Sequence, residues 1–165
     1  MNPLGPGCYV GPVLKVVLYQ SEIPQNAGNI ARTCAAAGAE LHLIRPLGFQ
    51  WGSSKLKRAG LDYWADVRYV LHDSWGMFLE SLPQSARVWA FSSKVQTLYT
   101  GVQYQPADYL LFGPETRGLP KEVLELFPSV TIPMPGKAGR SLNLAVSVGI
   151  GLYEALRQVG IKGEG

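Results

Sequence analysis

Apolar residues along this chain fall into short runs of strand length, separated by Pro- or Gly-bearing breaks and by segments with helical spacing. Residues 13–19, VLKVVLY, carry Lys15 as their only charge, which is the pattern of a central strand buried on both faces. The turn SEIPQ follows, and Pro24 helps start a helix over 26–37 that Gly38 stops. Within it Ile30, Cys34 and Ala37 recur at core-facing spacing, while Asn29, Arg32 and Thr33 share another face. A second strand at 41–44 ends at Pro46, and strand–helix–strand order predicts a parallel crossover.

The same reading places strands at 67–71, 88–91 and 109–112, with a helical segment over 74–81. Pro120 starts another helix. A last apolar run at 130–132 must stop where Pro133 and Pro135 remove ladder donors. A loop with Gly136 and Gly139 follows, and Ser141 and Asn143 stand at the mouth of a long small-residue helix, where their side chains satisfy orphan N–H groups. The fold class is α/β, a mostly parallel sheet flanked by helices, in one domain over 13–160. No internal repeat or low-complexity tract is present.

Composition narrows the class. Hydrophobic residues at 47% and charged residues at 16% fit a soluble globular protein and exclude disorder. A net charge of +3 does not by itself argue for a polyanionic partner, because clustering decides. Cys8 and Cys34 make neither a disulfide framework nor a metal cage, so no metal is expected and the chain belongs in a reducing compartment, the cytoplasm. Residues 1–12, rich in Pro and Gly, read as a mobile leader rather than a signal peptide, and 161–165 as a tail. No run is long enough to span a membrane.

Chemistry gathers at four places. In GPETRG the missing side chain of Gly113 admits close approach to the backbone, and Glu115 stands at a strand's C-terminal end, where open α/β sheets bind ligands. A tight turn with Glu115 paired to Arg117 explains the same letters. The strand end, loop and polar helix mouth around Ser141 and Asn143 make a second seat. Third, Lys55, Lys57 and Arg58 lie among Trp51, Tyr63 and Trp64, mixing cations for phosphates with rings that stack on bases; a solvated helical turn with aromatic packing is the alternative. Fourth, His42 in a strand reads as a satisfied structural histidine, and His72 before Asp73 as part of a turn or cap. Neither G-x-x-x-x-G-K-[ST] nor G-x-G-x-x-G after the first strand is present, which disfavours a P-loop kinase or an ordinary Rossmann dehydrogenase.

Taken in order, IPQNAGNIARTCAAAG (23–38), LLFGPETRGLP (110–120) and IPMPGKAGRSLNLAVSVGIGLYEALRQ (132–158) resemble the SPOUT family of RNA methyltransferases, and the likeness covers nearly all of the chain from Val13. With ELHLIRPLGF and LKRAGLDYW between the first two motifs, the chain is most similar to the compact group that methylates the ribose 2′-hydroxyl of the wobble cytidine or uridine of tRNA. The resemblance implies a C-terminal trefoil knot, against the general rarity of knots, and a homodimer. Leu142, Ala145, Val146, Gly149, Leu152, Tyr153 and Leu156 supply a helix surface compatible with a dimer, and a wholly internal core helix fits the same residues.

It further implies S-adenosyl-L-methionine as cofactor, held by Phe91, Gly113, Glu115 and Ile132 through Ser141 and Leu142, with Met134 as a further apolar wall. Arg32 is the residue that the family resemblance assigns to activating the hydroxyl. Arginine stays protonated in proteins, so gripping phosphate and orienting the hydroxyl is the chemically preferred role. Asn26 and Asn29 hold the loop and Arg32, and Asn143 or Glu115 contacts ribose. Lys55, Lys57 and Arg58 remain the expected RNA contacts. The alternatives are the same transfer to another tRNA loop or to rRNA, and an RNA-binding module without catalysis.

Overall fold

The computed structural model describes residues 11–60, 64–136, 138 and 141–160. The expected leader (up to residue 10), Tyr63, Gly139 and the tail lie outside the described residues. Six strands, β1 (Lys15–Tyr19), β2 (Glu40–Ile44), β3 (Tyr69–His72), β4 (Val88–Phe91), β5 (Tyr109–Phe112) and β6 (Ser129–Val130), form one sheet in the order β3-β2-β1-β5-β4-β6. Every pairing is parallel, as the first strand–helix–strand unit predicts. β1 is central, and its three middle residues are fully buried because side chains alternate between two covered faces.

Helices α1 (Pro24–Ala37), α2 (Ser54–Gly60), α3 (Trp75–Ser81), α4 (Lys121–Leu124) and α5 (Leu144–Val159) cover those faces. Val16, Leu18 and Leu110 point to a core shared with Ile30 and Cys34 of α1 and with Val148 and Leu152 of α5. Val17 and Leu111 point the other way, to Phe78 of α3 and Val123 of α4. The caps follow local chemistry. Gly38 adopts the left-handed conformation (φ 71°) that ends α1, and Ser74 Oγ accepts from Met77 N at 3.1 Å to start α3.

Several boundaries differ from expectation, β1 among them, which begins at Lys15 rather than 13. α1 begins at Pro24, two residues before 26. The strand expected at 67–71 is Tyr69–His72, so His72 stands at the strand's end before Asp73. The run expected at 130–132 leaves the ladder after Val130; Thr131 keeps only an isolated bridge to Leu98, and Ile132 lies outside the strand.

His42 and His72 sit side by side on β2 and β3 and are both buried. His42 Nε2 lies 3.1 Å from Glu40 Oε1, and its Nδ1 lies 2.9 Å from His72 Nε2. The carboxylate accepts from His42 Nε2–H, so His42 Nδ1 accepts from His72 Nε2–H. Such a pair keeps its bond with one extra proton but not with two. Arg68 also reaches Glu40, at 3.0 Å, and the hydrogen bond from His42 is the main reason the Glu40 carboxyl is held below its ordinary range. Phe78 and Tyr109 close the cluster edge-on.

Burial, with the charge of His42 as a second cause, lowers the pKa of His72 from the ordinary 6.5. Between that depressed value and 6.5 the unfolded chain binds more protons than the folded one. Stability from this group is therefore present above pH 6.5 and lost as pH falls through the folded value. Thermal unfolding followed by circular dichroism from pH 8 to pH 5 should show the midpoint falling in that window, at about 2–4 °C per kcal/mol for a domain of this size. His72→Gln should flatten the fall, and an unchanged profile in that variant would remove His72 as its cause.

Candidate functional site

All strands being parallel, their C-terminal ends lie along one edge of the sheet, and the loops after β4, β5 and β6 converge there. They enclose a cavity of about 310 Å³, at the lower end of the range for small-molecule sites. Phe91 and Phe112, from the ends of β4 and β5, stack with centroids 4.5 Å apart at 19°. A Cβ on Gly151 would stand 2.8 Å from the Phe91 ring, so glycine lets α5 press directly onto this pair. Ile132, Met134, Leu142 and Leu144 add apolar wall; Ser92, Lys94, Thr116, Ser141 and Ser147 add polar groups.

The six residues expected to hold a cofactor, Phe91, Gly113, Glu115, Ile132, Ser141 and Leu142, all line this one cavity. Glu115 does more than line it. Its carboxylate accepts from Ser21 Oγ at 3.0 Å, Glu22 N at 2.6 Å, Ile23 N at 3.0 Å and Asn26 Nδ2 at 3.1 Å. Ile23 caps α1 without a side-chain bond of its own, so a carboxylate from a distant loop serves the helix's N-terminal donors and favourable dipole end. Pairing of Glu115 with Arg117 is thereby overturned. Arg117 instead reaches Glu22 at 3.4 Å and Gln20 at 3.2 Å.

Glu22 returns the contact, accepting from Thr116 N at 3.0 Å and Thr116 Oγ1 at 2.8 Å. Those bonds, the side-chain one first, hold the Glu22 carboxyl below its ordinary range. Gln20, just before this loop, is the described non-glycine residue with positive φ (55°), which turns the chain sharply out of β1.

Asn26 is the joint between motifs. Its Nδ2 donates to Glu115, and its Oδ1 accepts from Asn143 Nδ2 at 3.0 Å. Asn143 Oδ1 in turn caps α5 by accepting from Ala145 N at 2.8 Å and Val146 N at 3.2 Å. Asn143 is thus the cap at that helix mouth, while Ser141 lies on the cavity wall. Gly113 also has a different reason from the one expected. A Cβ there would press on Leu119 N and stand 2.5 Å from the Gly118 carbonyl carbon, so the turn's own backbone makes the close approach.

Arg32 is exposed on α1 with Asn29, and neither lines the cavity. Lys55, Lys57 and Arg58 are exposed on α2, which packs against α1; Lys57 and Arg58 border a second cavity with Trp51 and Trp64. Sequence reasoning missed Ser21 and Glu22 as partners of the GPETRG loop, and it took in the loop after Phe91 without naming Ser92, Ser93 and Lys94 as its wall. The polar SSK immediately after an apolar strand was the available signal for the latter. Among the described residues no group of His, Cys, Asp and Glu could hold a metal ion, and no helix is long and apolar enough to cross a membrane.

The residues present suit a nucleoside with a charged amino-acid arm: stacked rings and aliphatic walls for the flat part, hydroxyls and Lys94 for the polar ends. A profile of the SpoU rRNA Methylase family matches residues 13–153. A tRNA (cytidine(34)-2′-O)-methyltransferase of Yersinia pestis is 46% identical over 160 residues, covering 92% of this chain and 97% of its own. A solved structure described as giving insight into 2′-OH methylation of C/U34 on tRNA superposes with a TM-score of 0.86 at 62% identity, over 89% of this chain and 96% of that one. An AdoMet-bound rRNA methyltransferase from Sinorhizobium meliloti superposes with a TM-score of 0.80 at 28% identity, over 93% of this chain and 60% of that one. With two motifs lining one cavity, the first tied to them through Asn26, and a family profile spanning the sheet and most of α5, this chain belongs to the SpoU rRNA methylase family.

Proposed function

We propose that this chain transfers a methyl group from S-adenosyl-L-methionine to the ribose 2′-hydroxyl of the wobble cytidine or uridine of tRNA. The observation that carries the reading is the Glu115–Asn26–Asn143 chain of hydrogen bonds, which assembles three distant motifs beside one cavity. Relatives named for this reaction match over nearly the full length of both chains. The cofactor supplies an electrophilic methyl group. The protein's part is alignment, which contributes roughly 7–11 kcal/mol in ideal cases.

In this reading Phe91, Ile132, Met134 and Leu142 hold the cofactor's apolar faces and exclude water, and Ser141 and Glu115 order its surrounding loops. Arg32 grips an RNA phosphate and orients the hydroxyl, with Asn29 beside it on α1. Lys55, Lys57 and Arg58 hold further phosphates. Asn26, Glu115 and Asn143 position these groups through the backbone, since their polar atoms are spent on one another.

The finer architecture belongs to the same proposal. From β6 at one edge of the sheet the chain returns to place Asn143 against Asn26 beside β1, a path that suits a trefoil knot. α5 buries Leu144, Val148, Gly151, Leu152 and Ala155, yet leaves Val146 and Tyr153 at 50% and 46% exposure on its other side. That outward apolar stripe suits a homodimer in which Arg32 of one subunit serves the cavity of the other. The cytoplasm, where tRNA is modified, is the fitting location.

Three outcomes test this. Radiolabelled methyl transfer to bulk tRNA, with the labelled nucleotide mapped, should give a 2′-O-methylated wobble pyrimidine; label elsewhere, or none, overturns the assignment. Arg32→Ala should reduce transfer at least about 100-fold while calorimetric cofactor affinity stays within about twofold, because an orienting contact acts mainly on the transition state; equal loss of both defeats the role. Asn26→Ala should instead cost about 1–2 kcal/mol of stability by leaving Asn143 and part of Glu115 unpaired and should weaken cofactor binding. Separately, Val146→Glu should convert a dimer to a monomer in sedimentation velocity, whereas an unchanged sedimentation coefficient would remove α5 from any interface.

A further inference from the structure

The second cavity, about 650 Å³, lies between α2 and the edge strand β3, far along the sheet from the first. Its walls are three rings in mutual contact. Trp51 and Trp64 meet edge-on with centroids 5.0 Å apart, Tyr69 lies 5.1 Å from Trp51, and Tyr69 lies 5.8 Å from Trp64. Leu56 closes the floor, and Lys57 and Arg58 stand exposed at the rim. Trp64 Nε1 is buried and, among the described residues, is the side-chain donor left without a hydrogen-bond partner. Such a donor carries a desolvation cost in the folded protein.

We propose that this cavity seats an unstacked base of the RNA substrate, a base other than the one whose ribose is methylated. The chemistry selects that occupant. Rings that remain 42% exposed at Tyr69 offer a face for stacking. Cations at the rim suit the phosphates on either side of that base. A bare phosphate would leave the rings unused. β3 stands four strands from β4, or roughly 20 Å across the sheet at the usual strand spacing, so the seated base is a neighbour of the reacting nucleotide rather than the nucleotide itself.

The inference rests on the RNA-methylating function proposed above, and its test separates the two. Full-length protein is titrated with bulk tRNA at several salt concentrations, in parallel with methyl transfer. Tyr69→Leu and Trp64→Phe should each weaken tRNA binding, Tyr69→Leu by about 10-fold, with no change in the salt slope, because a stack is not a phosphate contact. Lys57→Gln with Arg58→Gln should instead flatten the slope by about one unit each. Cofactor affinity should be unchanged in all of them, which also reports that the fold is intact. Unchanged tRNA affinity in both ring variants overturns the base seat, and points to a protein surface covering the rings. Absence of methyl transfer by the wild type with tRNA binding still sensitive to Tyr69 overturns the enzyme reading while leaving the seat standing.

Discussion

One carboxylate organises the end of this molecule that holds the first cavity. Glu115 leaves a turn after the fifth strand and meets four donors from the loop and first turn after the first strand, two of them backbone N–H groups at the start of a helix with no cap of its own. Each side supplies what the other lacks: the helix needs an acceptor for its orphan donors, and the buried part of the carboxylate needs its charge met. Charge-assisted bonds of this kind contribute roughly 1.5–3 kcal/mol each. The Glu22–Thr116 contacts run in the opposite direction and lock the same two loops a second time. Asn26 then extends the lock to the mouth of the last helix. The three segments consequently hold their cavity as one rigid unit.

That unit works only because the sheet beneath it is parallel and its middle strands are short and dry. Four-residue strands β4 and β5 end in register at Phe91 and Phe112, so two rings emerge side by side and stack instead of scattering. Gly151 then admits α5 against them, where any side chain would collide. Cavity floor and last helix are thus fixed by the same pair of aromatic residues.

The sequence showed much of this frame and little of its fastenings. Hydrophobic runs gave every strand to within a few residues, and Pro24, Gly38 and Asn143 marked helix ends correctly because caps are local chemistry. The six cavity residues came from a family resemblance, and no spacing rule brings Phe91, Gly113 and Leu142 together. Glu115 illustrates the limit. Arg117 stands two residues away and looked like its partner, whereas its donors lie about 90 residues earlier and become neighbours only when β1 pairs with β5. Gly113 was read as room for a ligand; it lines the cavity, and the turn folding back at Gly118 gives it a second reason to be glycine. Tyr69 escaped notice as part of an aromatic cluster because it reads as an ordinary strand residue; only the edge position of β3 leaves it open.

The two faces of the sheet divide stability from recognition. On the face of α3 and α4 the buried polar groups satisfy one another, His72 to His42 to Glu40, with Phe78 and Tyr109 sealing them, and the exposed apolar residues Met77 and Leu126 stand singly, as surface residues often do. The face of α1 and α5 is different. It carries Val146 and Tyr153 exposed on α5, the open ring cluster, and the described buried side-chain donor that no neighbour meets. Unmet contacts persist in a folded protein at a cost, and their confinement to one side follows if that side is completed by other molecules. The face so left open is the one formed by α1 and α5, on which Arg32 stands exposed.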